Sequence, residues 1–218
     1  MDRRRLPIVA EAWPMLAAGI ILGIGLSWWL GPKGWLFPGL FILFTLFFFR
    51  NPERQARSDA QEVLSPADGV IMEVSEVEEI RYIKGPAVKI SIFLSIFNVH
   101  VNRCPVEGQV EYLQYQPGKY LPAFKSHASE INERNYLGIK TRAQEPQYIL
   151  LTQITGFIAR RIVCWSKIGD HLEQGERFGL IKFGSCTEIY LPRGSEIYAE
   201  KGMKVRGGLT VLGRLADE

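Results

Sequence analysis

With 218 residues the chain has room for one ordinary domain and a small extra segment. Its 26 basic and 23 acidic residues leave a net charge of +3, which suits contact with an anionic leaflet and does not by itself point to nucleic acid. The three cysteines, Cys104, Cys164 and Cys186, are odd in number, lack metal-ligand spacing and read as reduced thiols of a cytoplasmic domain.

Apolar residues are concentrated at the N-terminus. No residue from Ala12 to Pro32 is charged, nor any from Gly34 to Phe49. As helices these runs would be about 31 Å and about 24 Å long, the first enough to cross a bilayer core of about 30 Å and the second short for it. Gly31-Pro32-Lys33-Gly34 is a turn between them. Arg3, Arg4 and Arg5 precede the pair and Arg50, Arg54 and Arg57 follow it, so both flanks prefer the cytoplasm. Residues 1–50 therefore read as a helical membrane hairpin, its second arm tilted or partly inserted, with Trp28, Trp29 and Trp35 in the interfacial belt. A cleaved signal peptide fits less well, because a second apolar run follows and no small-residue cleavage site stands out.

Residues 51–218 change character, to short β-branched and aromatic runs broken by Gly and Pro. Strands are predicted over Val88–Val101, Val110–Tyr115, Tyr148–Thr155, Ile158–Trp165, Phe178–Phe183 and Glu188–Leu191, with one short helix within Pro122–Asn135. Two internal echoes sharpen this. Pro66-Ala67-Asp68-Gly69-Val70-Ile71 matches Pro105-Val106-Glu107-Gly108-Gln109-Val110, and the Gly169–Gly175 turn matches Gly202–Gly208. The predicted fold is mostly β (α+β with the hairpin): a pseudo-duplicated hybrid-motif β-sandwich or barrel, as in lipoyl and biotinyl domains.

Near the C-terminal end stands Gly184-Ser185. A serine hydroxyl can attack the preceding carbonyl, and glycine resists the bent geometry least, so the pair is a candidate self-processing site. The dipeptide alone is weak, since Gly194-Ser195 also occurs. Asp68 sits in a turn, where an aspartate commonly bonds its own backbone. His100 shares a strand face with Asn102, opposite Val99, Val101 and Arg103, and is equally a structural or a functional histidine. His127 and His171 lie in polar, solvated contexts, and no histidines are paired at zinc spacing. Ser185, His100 and Asp68 together could form a nucleophile, base and orienter, without the Gly-x-Ser-x-Gly elbow of α/β-hydrolases. Lys204, in Gly202-Met203-Lys204-Val205, faintly resembles a biotin acceptor and reads better as a solvated turn residue.

Several ordered motifs together carry a resemblance. They are Leu64-Ser65-Pro66-Ala67-Asp68-Gly69, Phe97-Asn98-Val99-His100-Val101-Asn102-Arg103, Pro117-Gly118-Lys119, Glu133-Arg134-Asn135, Ala159-Arg160-Arg161-Ile162-Val163 and Gly179-Leu180-Ile181-Lys182-Phe183-Gly184-Ser185. Over its whole length the chain resembles the phosphatidylserine decarboxylase proenzymes, in their short form. The resemblance implies self-cleavage at Gly184-Ser185 into a β chain, 1–184, and an α chain, 185–218, headed by a pyruvoyl group made from Ser185. It implies a covalent pyruvoyl cofactor that forms a Schiff base with a serine phospholipid and releases CO2, with His100, oriented by Asp68, as base. It further implies a cell-membrane enzyme with its catalytic domain on the cytoplasmic side, no metal and no nucleic-acid partner; homo-oligomerisation is left open. Two positions depart from the longer members, which carry a second histidine where Arg103 stands and usually Thr where Cys186 stands. A membrane-anchored serine hydrolase and a non-enzymatic carrier domain are the rival readings.

Overall fold

The computed structural model describes residues 6–56, 59–121, 131–142, 145–156, 161–182 and 185–216. The chain divides into two compact units, Met1–Glu53 and Arg54–Glu218.

In the first unit, helix α1 (Trp13–Leu30) and helix α2 (Leu36–Phe48) are joined by a 3-10 turn over Gly31–Trp35. They fold back on each other: Ile8 bridges Arg50, and Val9 N–H donates to Phe49 O at 3.1 Å. Small residues allow the close approach, since a Cβ on Gly19 would come within 2.8 Å of Ile42 and one on Gly23 within 2.4 Å of Trp35. The helix hydroxyls bond within their own helices, Ser27 to Ile24 O and Thr45 to Phe41 O, both at 2.8 Å. That leaves little polar demand on an outer surface that exposes Trp28, Trp29, Leu36 and Phe37. The Ala10–Phe48 helical segment is long and apolar enough to cross a membrane by length and composition.

The second unit is mostly β. Its strands are β1 (Glu62–Leu64), β2 (Gly69–Glu79), β3 (Gly85–Leu94), β4 (Val101–Arg103), β5 (Gly108–Gln116), β6 (Arg134–Thr141) and β7 (Tyr148–Ile154). There follow β8 (Arg161–Cys164), β9 (His171–Leu172), β10 (Arg177–Lys182), β11 (Ser185–Pro192), β12 (Glu196–Ile197), β13 (Lys204–Val205) and β14 (Val211–Arg214). Eight form a curled antiparallel sheet in the order β13-β2-β3-β11-β7-β6-β5-β9, and two three-stranded sheets, β1-β14-β12 and β4-β10-β8, complete the unit. Alternation assigns the faces of the large sheet. Ile90, Ile92, Leu137, Ile139, Ile149, Leu151, Ile189 and Leu191 enter the core, while Lys89, Ser91, Arg134, Tyr136, Glu188 and Tyr190 occupy the other face.

The internal echoes are a pseudo-two-fold of the backbone. Gly69 opens β2 and pairs Val205 of β13; Gly108 opens β5 and pairs Leu172 of β9. Gly202 N–H donates to Ile71 O and Gly169 N–H to Val110 O, each at 2.8 Å; Gly208 N–H to Ser65 O and Gly175 N–H to Cys104 O, again each at 2.8 Å. The halves swap bonds as well, Leu64 N–H to Pro105 O and Arg103 N–H to Pro66 O, both at 2.9 Å. The turn glycines agree in φ, +93° and +90° at Gly169 and Gly202, +79° and +73° at Gly175 and Gly208, values that disfavour any side chain.

The expected run Val88–Val101 is interrupted. β3 stops at Leu94, because Asn98 Oδ1 accepts from Ser95 N–H at 2.9 Å and from its hydroxyl at 2.8 Å, closing a turn before β4. β2 and β6 were not among the predicted strands, and β11 begins three residues earlier than expected, at Ser185. The helix expected within Pro122–Asn135 falls largely outside the described residues, and Asn135 lies in β6.

Candidate active site

Ser185 is the first residue of β11 and pairs with Leu94, the last of β3. It is fully buried, and its Oγ has no hydrogen-bond partner among the described residues. Gly184 and Phe183 lie outside them. The other Gly-Ser pair is different: Gly194 has φ +98° and the Ser195 hydroxyl donates to Pro192 O at 2.8 Å, an ordinary turn. A buried, unbonded hydroxyl at the head of a central strand is costly to keep and chemically available.

His100 lies just before β4, and its backbone O accepts from Ile181 N–H at 3.3 Å, beside the strand that runs toward residue 185. Its ring Nδ1 is 3.0 Å from Asn98 O. A carbonyl only accepts, so Nδ1 carries the hydrogen and the neutral ring keeps its lone pair on Nε2. The Asn98 carbonyl therefore fixes the tautomer, an orienting part expected of Asp68.

Asp68 is engaged elsewhere. Its Oδ1 and Oδ2 accept from Arg54 Nη1 and Nη2 at 2.5 and 2.9 Å, Oδ1 also accepts from Gly207 N–H at 2.8 Å, and Arg54 Nη1 reaches Gly207 O at 2.6 Å. This clamp closes the turn that starts β2. Val70 pairs with Phe93 and Phe93 with Cys186, so Asp68, Leu94 and Ser185 stand at the same end of three neighbouring strands.

The two departures have structural accounts. Arg103 is buried on the face opposite His100 and Asn102; its Nη1 donates to Gly175 O at 2.9 Å, and its stem packs where a Cβ on Gly208 would fall, 2.7 Å away. It pins the two related glycine turns together. Cys186 is buried on the opposite sheet face from Ser185, and burial pushes its thiol well above the usual range, so it is a small apolar filler. His171 Nε2 meets Glu107 Oε1 at 3.1 Å on the surface, Lys204 is exposed, and His127 lies outside the described residues.

Sequence reasoning counted Arg54 only as a membrane-flanking charge and gave no role to the buried polar residues Asn102, Asn135, Gln153 and Thr187. An acid and a base 14 residues apart carry no local signal of pairing.

Fold and site together define a mostly β domain that buries a serine at the head of a central strand and follows an apolar helical segment in the sequence. The family model described as phosphatidylserine decarboxylase matches residues 41–213. A phosphatidylserine decarboxylase proenzyme of Carboxydothermus hydrogenoformans is 58% identical over 206 residues, covering 93% of each chain. Proenzymes of the same description from Symbiobacterium thermophilum and Cupriavidus pinatubonensis are 46% and 41% identical over 217 residues, covering 98% and 97% of each chain. The chain belongs to the phosphatidylserine decarboxylase family.

Proposed function

We propose that this chain is a self-processing, pyruvoyl-dependent decarboxylase that converts phosphatidylserine, or a related serine phospholipid, to the ethanolamine lipid and CO2. The observation that carries this reading is the Ser185 hydroxyl, buried and unbonded among the described residues at the head of β11.

His100 Nε2 takes the hydroxyl proton as Ser185 Oγ adds to the Gly184 carbonyl carbon. The bond from that carbon to Ser185 N breaks, the nitrogen takes a proton, and an ester remains. Loss of the Ser185 Hα and departure of Oγ with the Gly184 carboxylate leave a dehydroalanine. Water replaces its nitrogen, which leaves as ammonia, so residue 185 becomes the pyruvoyl group. A buried serine already separated from competing partners fits that conversion. The pyruvoyl carbonyl then supplies an electron sink for the pair left behind when CO2 departs. In this second reaction His100 Nε2 holds the proton that goes to the carbon that lost CO2. Asp68 acts through the Arg54 clamp, holding the end of β2 beside β3 and β11.

The apolar hairpin anchors the enzyme in the cell membrane, and the arginines flanking it favour a cytoplasmic catalytic domain at the leaflet that holds the substrate. Intact mass of the wild type and of Ser185→Ala tests the reading. Two chains dividing after Gly184, the smaller blocked at its N-terminus, with Ser185→Ala uncut, are expected. A single unmodified wild-type chain labelled at Ser185 by a fluorophosphonate would overturn it in favour of a serine hydrolase.

A further inference from the structure

Four buried polar side chains cross the core beside Ser185 in one hydrogen-bonded line. Asn135 Nδ2 (β6) donates to Gln153 Oε1 (β7) at 3.1 Å, and Gln153 Nε2 donates to Asn102 Oδ1 (β4) at 2.9 Å. Asn102 Nδ2 then donates to Thr187 Oγ1 (β11) at 3.0 Å. All four are at most 4% exposed. Room is left for the line, because residue 179, directly opposite Asn102, is a glycine whose Cβ would lie 3.0 Å from Gln153 Nε2.

Its direction is forced. Asn102 Nδ2 is also 3.4 Å from the carbonyl of Pro66, which has no hydrogen to give. The amide nitrogen of Asn102 must therefore face Pro66 and Thr187, its oxygen must face Gln153, and Gln153 must in turn accept from Asn135. Aligned amides polarise one another, and the strengthened end of this line is Thr187. Having accepted from Asn102, the Thr187 hydroxyl keeps its own hydrogen to donate. Thr187 is two residues from Ser185 on the same strand, so both hydroxyls lie on one face of β11.

We propose that Asn102 is a positioning residue for self-cleavage: through Thr187 it presents a polarised hydroxyl donor on the strand face where the Ser185 oxygen gains and loses charge. The proposal rests on the self-processing reading above. It also accounts for the segment after His100, where the side chain turned toward the cleavage strand is Asn102, and Arg103 is turned away to Gly175.

The test follows cleavage of freshly made full-length chain by intact mass, with thermal midpoints of the same samples. Thr187→Val is expected to slow cleavage at least tenfold, and Thr187→Ser, which keeps the hydroxyl, to cleave within about threefold of the wild type. Asn102→Leu should slow cleavage like Thr187→Val, and the double variant should be no slower than either, since both break the same line. Wild-type rates in Thr187→Val overturn the proposal; so does equal slowing of the Val and Ser variants in proportion to lost stability. If Thr187→Val does not fold, Gln153→Leu, two links away, carries the test, and an unchanged rate there overturns it. A wild type that never cleaves sinks the self-processing reading instead, whatever the variants do.

Discussion

The carboxylate of Asp68 and the guanidinium of Arg54 are nearly out of water, with side chains 12% and 10% exposed. Removing one partner of such a pair strands the other, a loss of about 3–5 kcal/mol. Arg54→Met is therefore expected to lower unfolding free energy by about that amount in urea melts of the Ser185→Ala background. Arg142→Met, which loses an exposed partner of Glu107, should change it by under about 0.5 kcal/mol. Glu188 supplies a second test. Burial raises its carboxyl above the ordinary value, against the opposing hydrogen bond from Tyr190, so the folded state holds that proton more tightly than the unfolded chain. Its stabilising contribution is full below the unfolded pKa and is lost as pH rises through the folded one. Glu188→Gln should match the wild type near about pH 4 and become progressively more stable than it toward neutrality. At this scale the sequence was partly legible. Ser185 and His100 stand in motifs, whereas the partner of Asp68 and the Asn102 line depend on side chains brought together only by folding.

Strand β2 shows why elements were missed. Its Glu73, Glu76 and Glu78 disguise the β-branched alternation, and the acids are tolerated because Lys89 on β3 pairs with Glu73 at 3.1 Å and solvent takes much of the remaining charge. β6 begins with Arg134 and Asn135, both buried, a polar start no strand pattern suggests. The glycine turns, by contrast, were readable, because backbone geometry there admits few residues. Gly69 and Gly108 make the point in duplicate: a Cβ would lie 2.1 Å from Phe93 O in one case and 2.4 Å from Lys140 O in the other. Gly69→Ala and Gly108→Ala should each force the neighbouring strand aside and lower stability by about 3 kcal/mol or more, read from thermal or urea unfolding. Gly85→Ala, with nothing within 4 Å, should be close to neutral in the same measurement.

For the whole molecule, the large sheet and the β1-β14-β12 sheet both take strands from either side of residue 184. β11 lies between β3 and β7, β13 pairs with β2, and β14 with β1. Ser185→Ala should therefore fold to the same sheet as the wild type, with matching far-ultraviolet circular dichroism. Cutting the wild type should leave its elution volume unchanged in native buffer and separate two species only in denaturant.

A cut between Gly184 and Ser185 would divide the pseudo-two-fold unequally. The Gly169 turn would stay in the long product with both strands of its pair, β9 and β5, whereas its counterpart at Gly202 would go to the short one with β13 and leave β2 behind. Neither fragment would hold the whole eight-stranded sheet, and the short one would surrender a central strand's two ladders to leave. The halves would behave as an interlocked heterodimer whose members, once folded from one chain, have no route to exchange with those of another molecule short of global unfolding. Inheritance of the mature enzyme would then be molecule by molecule, each short chain spending its life with the long chain it was made from.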